Sequence, residues 1–570
     1  MKILLLTVYI LTSIILKAQP GFVWTKGIGG SDSYMYSKSI TTDNSGNVYV
    51  TGYFSDTVDF DPGVGVCNLI ADAYDIFILK LNASGNLIWA KQFNGPYSEG
   101  GNAVVVDAKN NIYVTGYFQG TVDFDPGNAV YNLNSSWANS ADIFVCKLNA
   151  SGNFVWAKKM GGTNNEYAYS IAVDSLGNVY ITGQYEDIAD FDPGSGVYNL
   201  TPVDWVDCFI SKLDSSGNFV WAKSIGGNAW DYSFTLCLDR HSNVYTTGYF
   251  SDTVDFDPGQ NVYNLISMDG KDDVFVNKLD KNGNFIWAKS FSGPSNYDRG
   301  FSMAIDLSGN IITTGMFEDS VDFDPGLGIH KLYASGNYNF ACKLDSSGSF
   351  IWAKQIGGSN SHVTTDNYGN VYTTGTFYFD STDFDPGPGV YYMTPSPITT
   401  ESSAVGQLDD MGNFICAGQT TGYSSQSLTS IAVHNNDVYI LGDFNGTADF
   451  DPGAGVFNLS SISGYNDIFI TKLNACSQIT DDHEIIKDAI ITLYPNPSVG
   501  LCTVNFSNEF TGQGELIVTD IYGKILDRIK INSGSNKVDM NYTNYANGVY
   551  MLSLINAKGE TVNRKMIITR

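Results

Sequence analysis

The sequence predicts an all-β protein built from a repeated antiparallel sheet, and three observations carry that prediction. The pentapeptide D-F-D-P-G occurs at Asp59, Asp123, Asp190, Asp255, Asp322, Asp383 and Asp449, spaced 64, 67, 65, 67, 61 and 66 residues apart. A steady period of this length marks a repeat architecture. Aromatic residues make up 14% of the 570-residue chain, with 35 Tyr and 33 Phe, and they alternate with clusters drawn from 59 Gly and many Asn, Asp and Ser. Such a composition describes short strands joined by tight turns. Beyond residue 20, no window of 11–18 residues shows a helical period.

Taken in order, the chain opens on a stretch that reads as a secretory signal peptide, residues 1–18. Lys2 supplies the positive start, Ile3 to Leu16 the apolar core, and Ala18 a small residue before a cut. The apolar run is short for a spanning helix. No later stretch is longer, so a mature chain without a transmembrane segment is expected.

The third unit illustrates the repeat. Ser170–Asp174 reads as a first strand, Leu176-Gly177-Asn178 as a turn and Val179–Tyr185 as a second strand. Asp190-Phe191-Asp192-Pro193-Gly194 follows, then a third strand, Cys208–Leu213, and a fourth, Phe219–Lys223. The Asp214-Ser215-Ser216-Gly217-Asn218 loop suits a hairpin, because Gly and Asn accept positive φ. Strands apolar on both faces need cover on both faces, as in four-stranded sheets arranged radially. Phe22-Val23-Trp24-Thr25-Lys26 is the fourth strand of a unit without the other three. The last unit, ending at Asp467–Leu473, lacks that strand, so the N-terminal strand completes it and removes an edge. A closed seven-bladed β-propeller of four-stranded antiparallel blades over 20–476 is the expectation, with a small C-terminal β-sandwich after it.

Two family resemblances follow from these motifs. G-N-V-Y-x-T-G, followed by D-I-F-I-x-K-L-N and G-N-x-x-W-A-K, resembles the SBBP-type β-propeller repeat, which implies the fold and little about activity. Residues 477–489 read as a polar linker. Over 490–570, Tyr494-Pro495-Asn496-Pro497 with Gly500, the D-I-Y-G-K run carrying Gly523 and Lys524, N-G-V-Y-M-L-S-L with Gly548, and a terminal run with Lys565 resemble the C-terminal sorting domain of type IX secretion. The resemblance implies the type IX machinery as partner. It also implies delivery to the surface of a Gram-negative bacterium or into its medium.

The net charge is −28. From Glu484 onward there are eight acidic and nine basic residues, so the excess acid belongs to the repeats. Such a surface repels phosphate backbones and makes nucleic acid an unsuitable partner. Among eight cysteines no C-x-x-C occurs, and buried free thiols acting as small apolar residues are expected.

The acidic pairs of D-F-D-P-G are Asp59 and Asp61, Asp123 and Asp125, Asp190 and Asp192, Asp255 and Asp257, Asp322 and Asp324, Asp383 and Asp385, and Asp449 and Asp451. On a strand the two Asp share one face. The preferred reading is structural, with Asp-Pro-Gly setting a turn. The alternative is Ca²⁺, which takes 6–8 oxygen ligands. Upstream acids at Asp56, Asp187, Asp252, Asp319 and Asp380 could add to such a site, but Gly120 and Gly446 stand there in two copies. A feature present in every unit suits a single asymmetric catalytic site poorly. There is no Ser-His-Asp order, G-x-S-x-G, phosphate loop or metal-ligand His pair.

Residues that differ between units are therefore the better binding candidates: Trp137, Trp205, Trp230, Tyr232 and Tyr297, all in loops. Tyr and Trp there suit a glycan or protein ligand. The expected function is non-enzymatic, an exported binding or scaffold protein. The alternative is a secreted hydrolase or lyase acting on polysaccharide or peptide.

Overall fold

A computed structural model describes residues 19–476 and 491–569, apart from 138–139, 296, 360, 379–380, 396–400, 423–425, 463, 495, 497, 507–513, 521–523, 532–536 and 557–560. The expected signal peptide and linker lie outside the described residues. Two compact units emerge, Met1–Cys476 and Ser477–Arg570.

The first unit is a set of antiparallel sheets with a propeller-like arrangement. Each sheet runs in chain order from a first to a fourth strand, as in Met35–Thr42, Val48–Asp59, Asn68–Leu81 and Leu87–Phe93. One sheet breaks that order. Its strands Gln426–His434, Asp437–Phe444 and Asp467–Asn474 are completed by the N-terminal strand Gly21–Ile28, with Lys26 opposite Ile470. The first strands pack side by side: Met35–Thr42, Gly100–Val106, Glu166–Val173, Tyr232–Leu238, Arg299–Ile305, Val363–Thr365 and Gln426–His434, with the last returning to the first. The second strands are buried on both faces, as Val244–Phe250 illustrates. Their continuous apolar run is what a sheet covered on both sides demands.

The tight turns are carboxylate-centred. Asp43 Oδ1 accepts from the backbone N–H of Ser45 and Asn47, and Oδ2 from Asn47 Nδ2 and the Tyr49 hydroxyl. Asp107, Asp174, Asp239, Asp306 and Asp366 likewise accept from the backbone N–H four residues on. Burial alone would raise the Asp43 carboxyl, but hydrogen bonds from Asn47, Ser45 and Tyr49 outweigh it and hold the group below its usual range.

D-F-D-P-G forms an arm that reaches the preceding sheet. Asp190 pairs with Gly161, Asp255 with Gly226 and Asp449 with Thr421, each at the end of the previous fourth strand. Asp59, Asp123 and Asp322 make single bridges to Gly29, Asn94 and Ser292. In the first copy, Asp59 Oδ1 accepts from the N–H of Asp61 at 3.0 Å and of Cys67 at 2.8 Å. Asp61 Oδ1 accepts from Gly63 N–H at 2.8 Å. The Phe between them is buried: Phe60, Phe124, Phe191, Phe256, Phe323 and Phe450 are fully enclosed and Phe384 nearly so. The alternation of upstream Asp with Gly also has a backbone cause. Asp56, Asp187, Asp252 and Asp319 have φ of 54–59°, and Gly120 and Gly446 have 67° and 82°. The position needs left-handed backbone, which Gly and Asp tolerate best.

A seam between consecutive sheets repeats as well. Fourth-strand tryptophans donate Nε1–H to the next unit's hairpin loop: Trp24 to Ala83 O, Trp156 to Ser215 O, Trp221 to Lys281 O, Trp287 to Ser346 O and Trp352 to Asp410 O, at 3.1–3.3 Å. Third-strand lysines reach the same loops, as Lys278 Nζ does to Ser346 O. In the sixth unit Gln407 and Cys416 stand where the others have Lys and Trp. There Gln407 Oε1 accepts from Cys476 N–H at 2.9 Å, and Cys416 is disulfide-bonded to Cys476. The expectation of free thiols is therefore wrong for this pair. The chain leaves the last sheet at Cys476 without a hairpin loop to receive a tryptophan, and a covalent link stands in its place. Cys146, Cys208, Cys342 and Cys502 are buried free thiols, and Cys67 and Cys237 are half-buried ones.

The second unit has a three-stranded sheet, Ile491–Tyr494, Leu501–Phe506 and Lys537–Asn541, and a four-stranded sheet of Ile525–Ile531, Gly514–Thr519, Gly548–Asn556 and Thr561–Ile568. Val504 and Met540 of one sheet share a core with Leu516, Leu552 and Met566 of the other.

Candidate functional site

The first strands surround a cavity of about 510 Å³. Its lining comes from a bulge that most of them share. The register slips across Ser37/Ser39, Gly101/Ala103, Ala168/Ser170, Ser233/Thr235, Gly300/Ser302 and Leu428/Ser430. An extra residue in one strand of a pair re-aims a side chain. The residues so released are Lys38, Asn102, Tyr169, Phe234, Phe301 and Thr429, and all line the cavity. The residue after each bulge is small: Ser39, Ala103, Ser170, Thr235, Ser302 and Ser430. Several of these bind the neighbouring strand, as Ser170 Oγ does by accepting from Leu236 N–H at 3.2 Å. In the shortened sixth unit His362 occupies this second position, with its carbonyl accepting from Thr374 N–H at 3.0 Å.

One ring of positions is thus near-constant and structural, and the other differs from unit to unit. Phe234 bridges Tyr169 and Phe301, with ring centroids 5.8 Å from each. The opposite wall holds His362, Thr429, Lys38 and Asn102. Lys38 Nζ lies 5.5 Å from the Tyr53 ring centroid. Burial, and then the Lys38 charge, push the His362 imidazole down to about 4, so it is neutral at ordinary pH. Behind this wall Asp443 Oδ1 accepts from Ser37 N–H at 2.8 Å and Ser37 Oγ–H at 2.6 Å. Burial pushes its carboxyl up to about 6 against those bonds and Lys38.

The loop aromatics named from sequence divide. Tyr232 stacks on Tyr249 at 5.0 Å and lies 6.0 Å from Phe234, so it adjoins the cavity. Tyr297 meets the same cluster through Arg299, whose guanidinium sits 4.4 Å from Tyr249 and 5.5 Å from Tyr297 while pairing with Asp272 at 2.6 Å. Trp205 and Trp230 are exposed on adjoining loops, joined by a Val206–Trp230 bridge. Trp137 is exposed on the loop of another sheet. Sequence reasoning missed the bulge residues Lys38, Asn102, Phe234, Phe301 and Thr429. Their signal was available: aligned on the second strand, the units vary at one position flanked by small residues.

No group of three or more His, Cys, Asp or Glu able to hold a metal occurs among the described residues. The D-F-D-P-G carboxylates instead accept backbone N–H bonds of the kind given for Asp59 and Asp61, as at Asp255 and Asp257.

Buried acids do cluster, in pairs between consecutive sheets. Each pair joins an Asp of a third strand to an acid at the start of the next first strand: Asp75 with Glu99, Asp142 with Glu166, Asp207 with Asp231, and Asp273 with Asp298. Burial first, and the neighbouring carboxyl with it, push Glu99 up to about 8, Glu166 to about 9, Asp231 to about 8 and Asp298 to about 7. A carboxyl whose folded pKa is raised adds stability below its unfolded value, and loses it as pH climbs through the folded value. Asp43, Asp107, Asp239 and Asp306, whose carboxyls are held below the usual range, work oppositely, losing their contribution as pH falls below about 4. The melting temperature should therefore fall as pH rises from about 5 to 9, and Glu166→Gln should flatten that slope. Calorimetric scans across this range check both expectations.

Comparison with known proteins agrees with the two units. Residues 23–53 and 155–184 match the family described as beta-propeller repeat, and residues 492–569 match the secretion system C-terminal sorting domain. The chain carries SBBP-type β-propeller repeats and a type IX secretion sorting domain. That tail implies the type IX machinery as partner, and export from a Gram-negative bacterium to the surface or the medium. An uncharacterized WD repeat-containing protein of Acanthamoeba polyphaga mimivirus is 25% identical over 515 residues, covering 74% of this chain and 36% of its own. The regulatory protein FlaEY of Caulobacter vibrioides is 25% identical over 201 residues, 35% of this chain and 20% of its own. The chain thus spans well under half the length of either relative. Among solved structures, a protein of unknown function from Dyadobacter fermentans aligns at 10% identity and TM-score 0.32, covering 80% of this chain and 98% of its own.

Within the sorting domain, Asn496 Oδ1 accepts from Ile567 N–H at 2.8 Å, and Gly548 pairs with Ile568. Lys565 stands opposite Met551, and Lys524 N–H donates to Asp520 Oδ1 at 2.9 Å. Gly500 has φ 98°, and a Cβ there would lie 2.7 Å from Thr543 Cα, so only glycine fits. The strand holding Tyr494 is described, whereas Pro495, Pro497 and Gly523 lie outside the described residues.

Proposed function

We propose that the chain is an exported binding protein: a closed seven-bladed β-propeller over 20–476, delivered to the cell surface or medium by its sorting domain at 490–570, with recognition centred on the first-strand cavity. The single observation that carries the binding reading is the cavity's lining, which differs from unit to unit while the surrounding scaffold repeats. Closure is supported by the pairing of Gly21–Ile28 with Asp467–Asn474 and by the return of Gln426–His434 to Met35–Thr42. Among the described residues the cavity walls offer aromatic faces, hydroxyls, one Lys and one neutral His, without paired carboxylates. That lining suits a bound ligand better than the general acid and base of a hydrolase. The loop aromatics Trp137, Trp205, Trp230 and Tyr297 extend the surface open to a glycan or protein partner. Calcium at D-F-D-P-G is the weaker reading, because one oxygen of each of those carboxylates is engaged by backbone donors and no group of three or more metal-ligating side chains occurs among the described residues.

Export and recognition are tested separately. In a bacterium with a working type IX system, the full chain should be found outside the cell, and a chain ending at Cys476 should stay in the periplasm. Equal export of both would overturn the delivery reading. A thermal-shift screen of the full chain against glycans, peptides and small metabolites should yield stabilising ligands whose effect is lost in Phe234→Ala. Ligands that stabilise the variant equally would overturn the placement of recognition in the cavity.

A further inference from the structure

We infer that the cavity takes a small organic carboxylate with a flat apolar body, an inference that rests on the binding reading and specifies its ligand. Three consecutive first strands supply Tyr169, Phe234 and Phe301, whose rings form one continuous arc. The remaining strands, also consecutive, supply His362, Thr429, Lys38 and Asn102. The cavity therefore has an aromatic side and a polar side, rather than a mixed lining.

Charge sets the sign of the ligand's polar end. The chain carries a net −28, yet the one charged side chain among the described lining residues is Lys38. Asp443, which also feels the Lys38 charge, is not among the lining residues and has one carboxylate oxygen taken up by Ser37. His362 is uncharged at ordinary pH and supplies an imidazole N–H or lone pair beside the lysine. A carboxylate facing Lys38 would gain a charge-assisted hydrogen bond within a partly desolvated space. The same ligand's apolar body would lie against Phe234 and its neighbours, where offset or edge contacts favour a flat ring. Tyr169 is oriented for this by its hydroxyl, which donates to Gln184 Oε1 at 2.8 Å. A volume of about 510 Å³ lies within the range of small-molecule sites.

The test uses one ring system with three charges. Indole-3-acetate, indole-3-acetamide and tryptamine are titrated calorimetrically into the full chain, with acetate as the body-less control. The acid should bind about tenfold tighter than the amide, and tryptamine and acetate should bind weakest. Lys38→Met, at an exposed side chain, should bring acid and amide together, and Phe301→Ala should weaken both equally. Equal or tighter binding of tryptamine, an unchanged acid preference in Lys38→Met, or no binding by any member would overturn the inference. In that last case a ligand from the wider screen that Phe234→Ala still abolishes would leave the binding reading standing.

Discussion

Cys416→Ser should lower the unfolding free energy of the propeller by about 4 kcal/mol, the chain-entropy value for a loop of about 60 residues. The Cys416–Cys476 bond closes a separation of 60 residues at the point where the chain leaves its last sheet. At five other seams a tryptophan N–H donates to a loop carbonyl, and lysine ammoniums reach the same loops, but here Gln407 and the disulfide take those places. A serine side chain is too short to span the seam as an indole does. Chemical denaturation in oxidising and reducing buffer checks the expectation. The wild type should lose stability on reduction and then match the variant, while the variant should be indifferent to reductant. Equal stability of wild type and variant under oxidising conditions would show that the bond is dispensable.

Phe256→Ala is expected to cost about 3–5 kcal/mol, the range for truncating a fully buried aromatic. Phe256 is fully enclosed at the heart of D-F-D-P-G, 5.1 Å from Phe275 and 5.4 Å from Phe250 between ring centroids. It packs in a cluster containing Cys208 and Ile210 of the preceding sheet. Loss of its ring should therefore loosen the contact between sheets as well as the arm. Asp255→Asn should cost less, because an amide oxygen can still accept from the Asp257 and Tyr263 N–H groups. A denaturation midpoint for Phe256→Ala close to that of the wild type would contradict the clasp role of the motif.

How much of this was legible follows from what repeats. The period of D-F-D-P-G, the alternating turns and the strand left over at Phe22–Lys26 lead to the sheets and to the pairing of the two ends of the first unit. The meaning of D-F-D-P-G as a bridge to the preceding sheet was not legible, since two-residue pairings such as Gly161 with Asp190 depend on how the sheets pack. The bulges hid the cavity. Strict alternation assigns each first-strand residue to a sheet face, and one inserted residue turns Tyr169 or Phe234 into the space between the strands. The acid pairs were hidden for a related reason, because Glu166 and Asp142 come from different units and meet only across a seam. The disulfide escaped notice because Cys416 is distant in sequence from Cys476, and only the vacated tryptophan position, read against the missing last hairpin, links them.

On the proposed reading, repetition builds the scaffold and departure from repetition binds the ligand. Calorimetric affinity for indole-3-acetate, measured side by side in the full chain carrying Phe234→Ala or Asp255→Asn, tests it most directly. Binding at least about tenfold weaker is expected in Phe234→Ala, with wild-type affinity in Asp255→Asn despite its lower stability. Undiminished binding in the first variant, with loss in the second, would contradict it.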